Sequence, residues 1–226
     1  MNPLPPPAQT VFIVDDEPSV RESLTWLLNS IQLPVQCFDS ALSFLAHHKR
    51  GSGGCLILDV RMPGMSGMEL IEVLQAEQIF LPVIFLSAHG DIPMATEAMR
   101  KGAVDFLSKP YNNEQFLRRV RQALALETQQ SEARERSRQL ALRFSNLTRR
   151  ELQLLDLIVQ GASNKDVART LDISIKTVEA HRARLVKKLE VKSLAEMVQL
   201  ALERNGLVPA PSLMRSAAPA SAPPMG

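Results

Sequence analysis

Short, nearly continuous apolar runs alternate with segments of helical spacing over the first half of the chain. The runs lie at residues 11–14, 34–38, 55–58, 82–86 and 104–107. Between them, apolar side chains recur at helical intervals, as at Val20, Leu24, Leu27 and Leu28. Strands that are apolar on both faces are covered on both faces, which is typical of parallel sheets flanked by helices. The five strand–helix repeats predict a doubly wound, five-stranded parallel α/β domain over residues 10–125.

A long polar helix and a second set of helices follow the last repeat. Residues 112–160 contain no proline or glycine, so one helix can run well beyond the α/β domain. Its middle, ETQQSEARERSRQ, lacks a sustained apolar seam, which favours a solvated helical linker over residues 126–144 rather than a coiled coil. Four short helices are then predicted at 149–160, 164–171, 175–189 and 194–204. They form an all-α domain over residues 145–205.

The two ends of the chain and its two cysteines bear on the cellular location of the protein. Residues 1–9, which include four prolines, and the Pro-, Ala- and Ser-rich residues 206–226 are predicted to be disordered. The start lacks the basic region and apolar core of a signal peptide, and no apolar run approaches the ~20 residues of a membrane span. We therefore expect a cytoplasmic protein without a membrane partner. Cys37 and Cys55 are expected to be buried thiols rather than a disulfide or a zinc site.

The overall charge of +2 conceals an uneven distribution. Residues 10–125 carry 10 Lys/Arg against 13 Asp/Glu, whereas residues 145–205 carry 11 against 8. The first domain is therefore net −3 and the second net +3. Within the second domain, residues 174–192 alone hold 6 basic and 2 acidic side chains. A cluster of positive charge of this kind indicates a polyanionic partner.

Polar side chains follow the predicted strands at one edge of the sheet. They are Asp15 and Asp16 after the first strand, Asp59 after the third, Ser87 after the fourth and Lys109 after the fifth. Each alone could be a helix cap, a turn residue or a strand exit, but the carboxyl ends of parallel strands open into one crevice. Converging carboxylates favour a divalent cation, and all-oxygen ligands suit Mg²⁺. Lys109 and Ser87 could then bind a phosphoryl group that a carboxylate attacks, although the spacing does not decide which carboxylate is the nucleophile.

These residues, together with MPGMSG after Asp59 and the pairs Ser87-Ala88 and Lys109-Pro110, resemble the receiver domain of two-component response regulators. The resemblance covers residues 10–125 and implies a flavodoxin-like fold. It implies that Asp59 accepts phosphate from a sensor histidine kinase. It also implies that Mg²⁺ is held by Asp16, Asp59 and the backbone carbonyl of Arg61, with Asp15 assisting through water. Such a protein is not an enzyme in the usual sense, but it assists its own phosphotransfer and dephosphorylation.

The resemblance also assigns a conformational switch to Ser87 and Phe106. In the family, the hydroxyl moves to the phosphoryl group and the aromatic ring turns inward. Many relatives carry threonine and tyrosine at these two positions, and the serine and phenylalanine found here are both common in the family. Without the resemblance, Phe106 would be interpreted as a core residue, because an aromatic side chain in a strand usually is one.

In the all-α domain a short turn joins two helices, the second of which is basic, and this matches helix-turn-helix geometry. At about 100° per residue, Val178, Leu185 and Leu189 point in one direction, the predicted core face. The opposite face carries Lys176, Ala180, Ala183, Arg184 and Lys187. Small side chains let a helix approach base edges while the flanking cations meet phosphates. Glu179 could accept from a cytosine or simply favour the helix dipole, and Arg182, nearer the core, could snorkel or form a pair.

The segments LTRREL and GASNKDVARTLDISIKTVEAHRARLVKKL resemble the LuxR-type helix-turn-helix. A receiver joined to this module is the architecture of the FixJ and NarL class of regulators, and the first half and linker are most similar to FixJ. The resemblance implies contacts with double-stranded promoter DNA at Lys176, Thr177, Glu179, Ala180, Ala183 and Arg184. It also implies a homodimer on phosphorylation and RNA polymerase as a further partner. The last helix, with Leu194, Met197, Val198 and Ala201, is implied as the dimer contact, although its apolar stripe could equally be core.

Two other kinds of function are compatible with parts of this pattern. A metal-dependent phosphatase would use the same acidic crevice, but the sequence offers no additional acid, base or substrate pocket. A pure interaction module would keep the fold without phosphoryl transfer, and the complete polar set argues against it. We therefore expect a regulator of transcription that is controlled by phosphorylation.

Overall fold

The computed structural model describes residues 9–49, 51–88 and 92–205. The chain forms two compact units that divide between Ser131 and Glu132. Residues 1–8 and 206–226, which we predicted to be disordered, lie outside the described residues. Gln9 belongs to the described part, and its side chain donates hydrogen bonds to the Leu124 carbonyl (2.8 Å) and the Thr128 hydroxyl (2.9 Å). Among the described residues, no helix combines the length and apolar character that crossing a bilayer requires.

The first unit is a five-stranded, all-parallel sheet flanked by helices. Its strands are β1 (Thr10–Val14), β2 (Val35–Phe38), β3 (Gly54–Asp59), β4 (Val83–Ser87) and β5 (Asp105–Ser108). Its helices are α1 (Pro18–Asn29), α2 (Ala41–His47), α3 (Gly67–Ala76), α4 (Ile92–Arg100) and the first part of α5 (Asn113–Ser145). The strand order is β2-β1-β3-β4-β5, which confirms the predicted doubly wound sheet. Because the order reverses between β1 and β3, a crevice opens beyond the carboxyl ends of these two strands.

Two apolar cores lie on opposite faces of the sheet, as the period-two geometry of strands requires. In β1, Val11 and Ile13 pack against Leu24 and Leu28 of α1, together with apolar residues of α5. The alternate residues, such as Phe12, pack instead with α2 and α3. The sheet is thus covered on both faces, which explains why its strands are almost entirely apolar in sequence.

The second unit contains four short helices and the end of α5. The helices are α6 (Arg149–Val159), α7 (Asn164–Leu171), α8 (Ile175–Leu189) and α9 (Leu194–Arg204). Their bounds agree with the predicted bounds to within one residue. The core is formed by one cluster to which every one of these helices contributes, including the predicted core face of α8, Val178, Leu185 and Leu189. The fold is therefore an α/β domain followed by an all-α domain.

Helix α5 is continuous over 33 residues and spans the division between the two units. Residues 128–133 and 135–139 are exposed, as expected of a solvated helix. The last part of the helix behaves differently, because Leu140 and Phe144 pack into the core of the second unit. Arg136 also forms two hydrogen bonds of 3.0 Å with the carboxylate of Glu203 in α9. The end of the predicted 126–144 linker is therefore part of the second unit's packing.

The prediction that both cysteines are buried is wrong for Cys37. Cys55 lies in the central strand β3 and is buried, and burial raises the pKa of its thiol to about 12. Cys37 lies in β2 at the edge of the sheet, where it is exposed, with its Sγ 3.1 Å from the Thr25 hydroxyl. The hydrophobic pattern identified both strands, but it contains no information on which strand lies at the edge.

An ion pair between a buried glutamate and a half-buried lysine connects α6 to α8 and so helps to orient the basic helix. Glu151 is 3% exposed and forms a reciprocal capping box with Thr148 at the start of α6. Its carboxylate lies 2.7 Å from the Lys188 ammonium in α8. Burial raises the pKa of Glu151, but the hydrogen bonds and charges of Lys188 and Thr148 outweigh burial and lower this pKa to about 2.

We expect Glu151→Gln to lower the free energy of unfolding of the second unit by roughly 2–3 kcal/mol at pH 7, because the substitution leaves the ammonium without its buried partner. Since the pKa of Glu151 is depressed on folding, its contribution is complete above pH 4.5 and is lost as the pH falls towards about 2. The difference between variant and wild type should therefore shrink over that range. Urea unfolding followed by far-UV circular dichroism measures it.

A matched variant makes this measurement specific. Asp166 occupies the same position in α7, where it also interacts with the capping serine, but it is exposed. Asp166→Asn should therefore leave the dichroism transition close to that of the wild type. An equal loss in both variants would contradict the assigned role of the Glu151–Lys188 pair.

Candidate functional site

A lysine bridges two buried carboxylates at the carboxyl edge of the sheet. The Lys109 ammonium lies 2.8 Å from Oδ2 of Asp15 and 3.2 Å from Oδ1 of Asp59. Asp15 is 2% exposed and Asp59 is 8% exposed. The three residues are far apart in sequence, yet they form one ion-paired cluster in the predicted crevice.

The strand register produces this convergence. Val14 of β1 pairs with Leu58 of β3, so the next residues, Asp15 and Asp59, lie side by side. On the other side, the backbone N–H of Lys109 donates to the Ser87 carbonyl at 2.7 Å, which places the lysine directly beyond β5. The end of each strand therefore sets the position of one charged group.

Backbone donors fix the orientation of both carboxylates. Oδ2 of Asp59 accepts from the N–H of Arg61 at 2.8 Å, and Oδ1 of Asp15 accepts from the N–H of Glu17 at 2.9 Å. Each carboxylate thus presents one oxygen to the lysine and the other to the main chain. A carboxylate held in this way loses little conformational freedom when it reacts or binds a cation.

The electrostatics of the cluster show a remaining deficit of positive charge. The pKa of Asp59 is raised above its ordinary value. Burial is the main cause and the negative charge of Asp15 adds to it, whereas the positive charge of Lys109 lowers the pKa but does not cancel these two effects. For Lys109, burial lowers the pKa, but the hydrogen bonds and charges of the two aspartates outweigh burial and raise it. The lysine is therefore firmly protonated, yet it does not fully compensate for the burial of Asp59.

The two buried carboxylates fit a magnesium ion, although they do not enclose one. Among residues 9–49, 51–88 and 92–205, no three acidic, histidine or cysteine side chains are grouped closely enough to hold a metal ion. Mg²⁺ commonly uses only one or two carboxylates and completes its octahedron with water and phosphate oxygens. The raised pKa of Asp59 is consistent with a site that gains from a second cation.

The remaining predicted residues surround this cluster at different depths. Asp16 is exposed beside the crevice, unlike its buried neighbour Asp15. Ser87 is buried at the end of β4, where its hydroxyl contacts the Met94 sulfur at 3.9 Å. Phe106 is half-buried and its ring centroid lies 6.4 Å from that of Phe85, so it belongs to the margin of the core. The structure thus joins Asp15, Asp59 and Lys109 by direct contacts.

The sequence interpretation did not identify three residues that shape the site. Arg21 of α1 donates to the Asp15 backbone carbonyl at 2.7 Å. Tyr111 lies beside the cluster, and the pKa of its hydroxyl is raised. Burial and the charge of Asp15 raise this pKa, and Lys109 lowers it by less. Gly67, the first residue of α3, packs so tightly against β3 that a Cβ atom would overlap the Asp59 carbonyl oxygen. Only the glycine carries a sequence signal, since it ends the MPGMSG segment.

The basic helix of the second unit presents the predicted surface to solvent. Its exposed residues include Lys176, Glu179, Ala180, Ala183, Arg184 and Lys187. Thr177 is half-buried and its N–H donates to the capping hydroxyl of Ser174 at 3.1 Å. Two exposed alanines among cations leave a shallow, positively charged surface on α8. A surface of this kind suits close approach to a nucleic-acid groove.

Two questions left open by the sequence have structural answers. Arg182 forms a pair, because its guanidinium donates to Oδ1 of Asn164 at 2.7 Å. In α9, Met197 and Ala201 are buried in the core of the unit, whereas Leu194 is 48% exposed. Val198 is partly buried and packs against the same core. The apolar stripe of α9 therefore serves the core at three of its positions and is exposed at Leu194.

Comparisons with known proteins identify two families along the chain. Residues 11–121 match the response regulator receiver domain. Residues 145–201 match the bacterial regulatory proteins of the luxR family.

Curated relatives share both parts. The chain is 47% identical over 196 residues to the transcriptional regulatory protein TdiR of Thauera aromatica, and the aligned residues cover 86% of each of the two chains. It is 38% identical over 198 residues to the transcriptional regulatory protein FixJ of Bradyrhizobium diazoefficiens, covering 88% of this chain and 96% of FixJ. Among solved structures, the response regulator StyR superposes with a TM-score of 0.82 at 46% identity, covering 87% of this chain and 99% of StyR.

Gly67→Ala tests whether close packing behind Asp59 sets the site. The added methyl group would meet the Asp59 carbonyl and lie 3.0 Å from Cγ of Leu58, so we expect a loss of roughly 2–3 kcal/mol in unfolding free energy. Urea unfolding followed by far-UV circular dichroism measures the loss.

Gly64→Ala is the matched control in the same loop. Gly64 has a φ of +79° but open space where its Cβ would be, so the substitution carries a backbone strain of about 1 kcal/mol without a clash. If Gly67→Ala were no more damaging than Gly64→Ala, the packing argument would be wrong.

Proposed function

The chain belongs to the two-component response regulators that combine a receiver domain with a LuxR-type DNA-binding domain, and we propose that phosphorylation of Asp59 controls its binding to promoter DNA. The protein is a transcription regulator. The observation that carries the proposal is the Lys109 bridge between Asp15 and Asp59 at the switch point of the sheet. The proposed domains are a receiver at 10–125, a linker at 126–144 and a DNA-binding domain at 145–205.

Asp59 is proposed as the nucleophile because residues 11–121 match the receiver domain, in which the aspartate that ends the third strand accepts the phosphoryl group. The contacts of Asp15 and Asp59 with Lys109 and with the main chain are alike and do not by themselves select one of the two. One of the Asp59 oxygens attacks the phosphorus of a phosphohistidine on a sensor kinase, forming a P–O bond as the P–N bond breaks. Lys109, 3.2 Å from Oδ1, then holds an oxygen of the transferred group, and the Ser87 hydroxyl offers a further donor. The chain thus assists its own phosphorylation and later hydrolysis without being an enzyme on other substrates.

A magnesium ion would be held by Asp15, Asp16, Asp59 and the backbone carbonyl of Arg61. When bound, it supplies positive charge that neutralises the transferring phosphoryl group. The residues of the chain orient the reacting groups: the Arg61 N–H and the Lys109 ammonium each fix one oxygen of Asp59. The buried position of both aspartates limits access of water to the acyl phosphate.

Phosphorylation is proposed to act through Ser87 and Phe106, since both lie on the strands that border the cluster. In the proposed switch, the Ser87 hydroxyl moves to the phosphoryl group and the Phe106 ring turns inward. The changed β4–β5 face then pairs two copies of the chain, and two DNA-binding domains engage a two-part site. Promoter DNA, the kinase and RNA polymerase are the proposed partners, and the cytoplasm is the proposed location.

Asp59→Asn should abolish phosphate incorporation from a small phosphodonor with Mg²⁺, because the amide cannot act as the nucleophile. Asp39→Asn is the matched control: Asp39 directly follows β2 at the same edge of the sheet but is exposed, and this variant should incorporate phosphate like the wild type. Phosphate label on intact protein measures the outcome. Undiminished labelling of Asp59→Asn would remove the assignment.

Lys176→Ala and Arg184→Ala should each weaken binding to duplex DNA, by about tenfold together, because exposed cations on α8 meet phosphates. The slope of log K against log salt concentration should fall by about 0.9 for each phosphate that the variant no longer neutralises. Arg118→Ala, which removes an exposed cation from the first unit, is the charge-matched control. Unchanged affinity and slope in both α8 variants would exclude α8 as the DNA-binding element.

A further inference from the structure

Helix α7 is held at both ends by arginines from the helices on either side of it. At its start, Arg182 of α8 donates to Oδ1 of Asn164 at 2.7 Å. At its end, Arg150 of α6 donates to the backbone carbonyl of Leu171 at 2.5 Å. The second contact places a cation at the negative end of the helix dipole, where it is stabilising. The first contact joins the two helices of the helix-turn-helix directly.

Arg182 points away from the surface proposed to meet DNA. At about 100° per residue, it lies about 40° from the core residue Val178 and about 120° from Lys176. Its side chain is half-buried, whereas Lys176 and Arg184 are exposed. Among the basic residues of α8, Arg182 is therefore badly placed to reach a phosphate and well placed to hold α7.

The partner of Arg182 is a neutral amide, not a carboxylate. Hydrogen bonds to charged groups are stronger than neutral ones, so this one can fix the geometry of two helices. Because the amide carries no charge, it does not reduce the positive potential of the domain, as an aspartate at position 164 would. A neutral acceptor thus gives rigidity without opposing attraction to a polyanion.

We propose that Arg182 is a positioning residue for DNA recognition, which sets the angle between α7 and α8 through Asn164 and does not itself contact DNA. This inference rests on the proposed DNA-binding function. In a helix-turn-helix the first helix crosses the DNA backbone while the second enters the major groove, so the angle between them determines which base edges α8 can reach. Functional groups need support that holds them within about 10–20° of the productive geometry.

The test uses the full chain and two duplexes: one selected from a random library by the wild-type protein and one unrelated duplex of equal length. Arg182→Met keeps the apolar stem but removes the donors, and Asn164→Ala removes the acceptor. Each should weaken binding to the selected duplex about tenfold, equivalent to about 1.4 kcal/mol, with little effect on the unrelated duplex. The double variant should be no weaker than either single variant, since both break the same hydrogen bond.

A direct phosphate interaction and a loss of folding would give different results. The salt slope of Arg182→Met should equal that of the wild type, whereas removal of a cation that neutralises a phosphate lowers the slope by about 0.9. Arg138→Met on α5 controls for the removal of one charge, because Arg138 is highly exposed, lies outside α7 and α8 and pairs within its own helix. Arg182→Lys retains one donor and should restore binding to within about threefold of the wild type, with melting temperatures recorded for every variant.

The inference is overturned if Arg182→Met keeps wild-type affinity for the selected duplex, if its salt slope falls, or if the two single effects add in the double variant. It is also overturned if Arg182→Lys, with a wild-type melting temperature, binds as weakly as Arg182→Met. If the wild-type chain selects no duplex from the library, the proposed DNA-binding function itself fails, and this inference fails with it.

Discussion

The first unit depends on one electrostatic constraint: two carboxylates are buried side by side, and a single lysine lies between them. Asp15 and Asp59 follow adjacent parallel strands, so the register that builds the core also brings two like charges together. Without a cation this arrangement would be unfavourable, because burial and mutual repulsion both oppose ionisation. Lys109 makes it tolerable but leaves the pKa of Asp59 raised. The two buried carboxylates therefore favour a further positive charge beside them.

Most of this arrangement could be predicted from the sequence because parallel sheets impose it. Strands that are apolar on both faces must run parallel under helices, and their carboxyl ends must share an edge, so Asp15, Asp59 and Lys109 had to be neighbours. Residue spacing could not predict that Asp15 is buried while Asp16 is exposed, since this depends on where β1 ends. Nor could it predict the exposure of Cys37, because strand order is a property of the whole sheet.

Long-range polar contacts were the least predictable part of the fold. The helices of the second unit follow from apolar periodicity and capping residues, which are local signals. The contacts that orient those helices join residues far apart in sequence: Glu151 reaches Lys188, and Arg182 reaches Asn164. Residue types alone allow several partners for each of these charged side chains, and only the packing of three helices selects one.

These contacts change how the positive charge of the second unit must be interpreted. Residues 174–192 hold six basic side chains, and a count of charge treats them alike. Lys188 and Arg182 are committed to α6 and α7 respectively, whereas Lys176, Arg184 and Lys187 face solvent. Lys188 and Arg182 thus fix the orientation of α8 from its inner side, while the three cations on its outer face point into solvent. The separation of positioning cations from exposed ones allows a single helix to be both rigidly anchored and available to a polyanion.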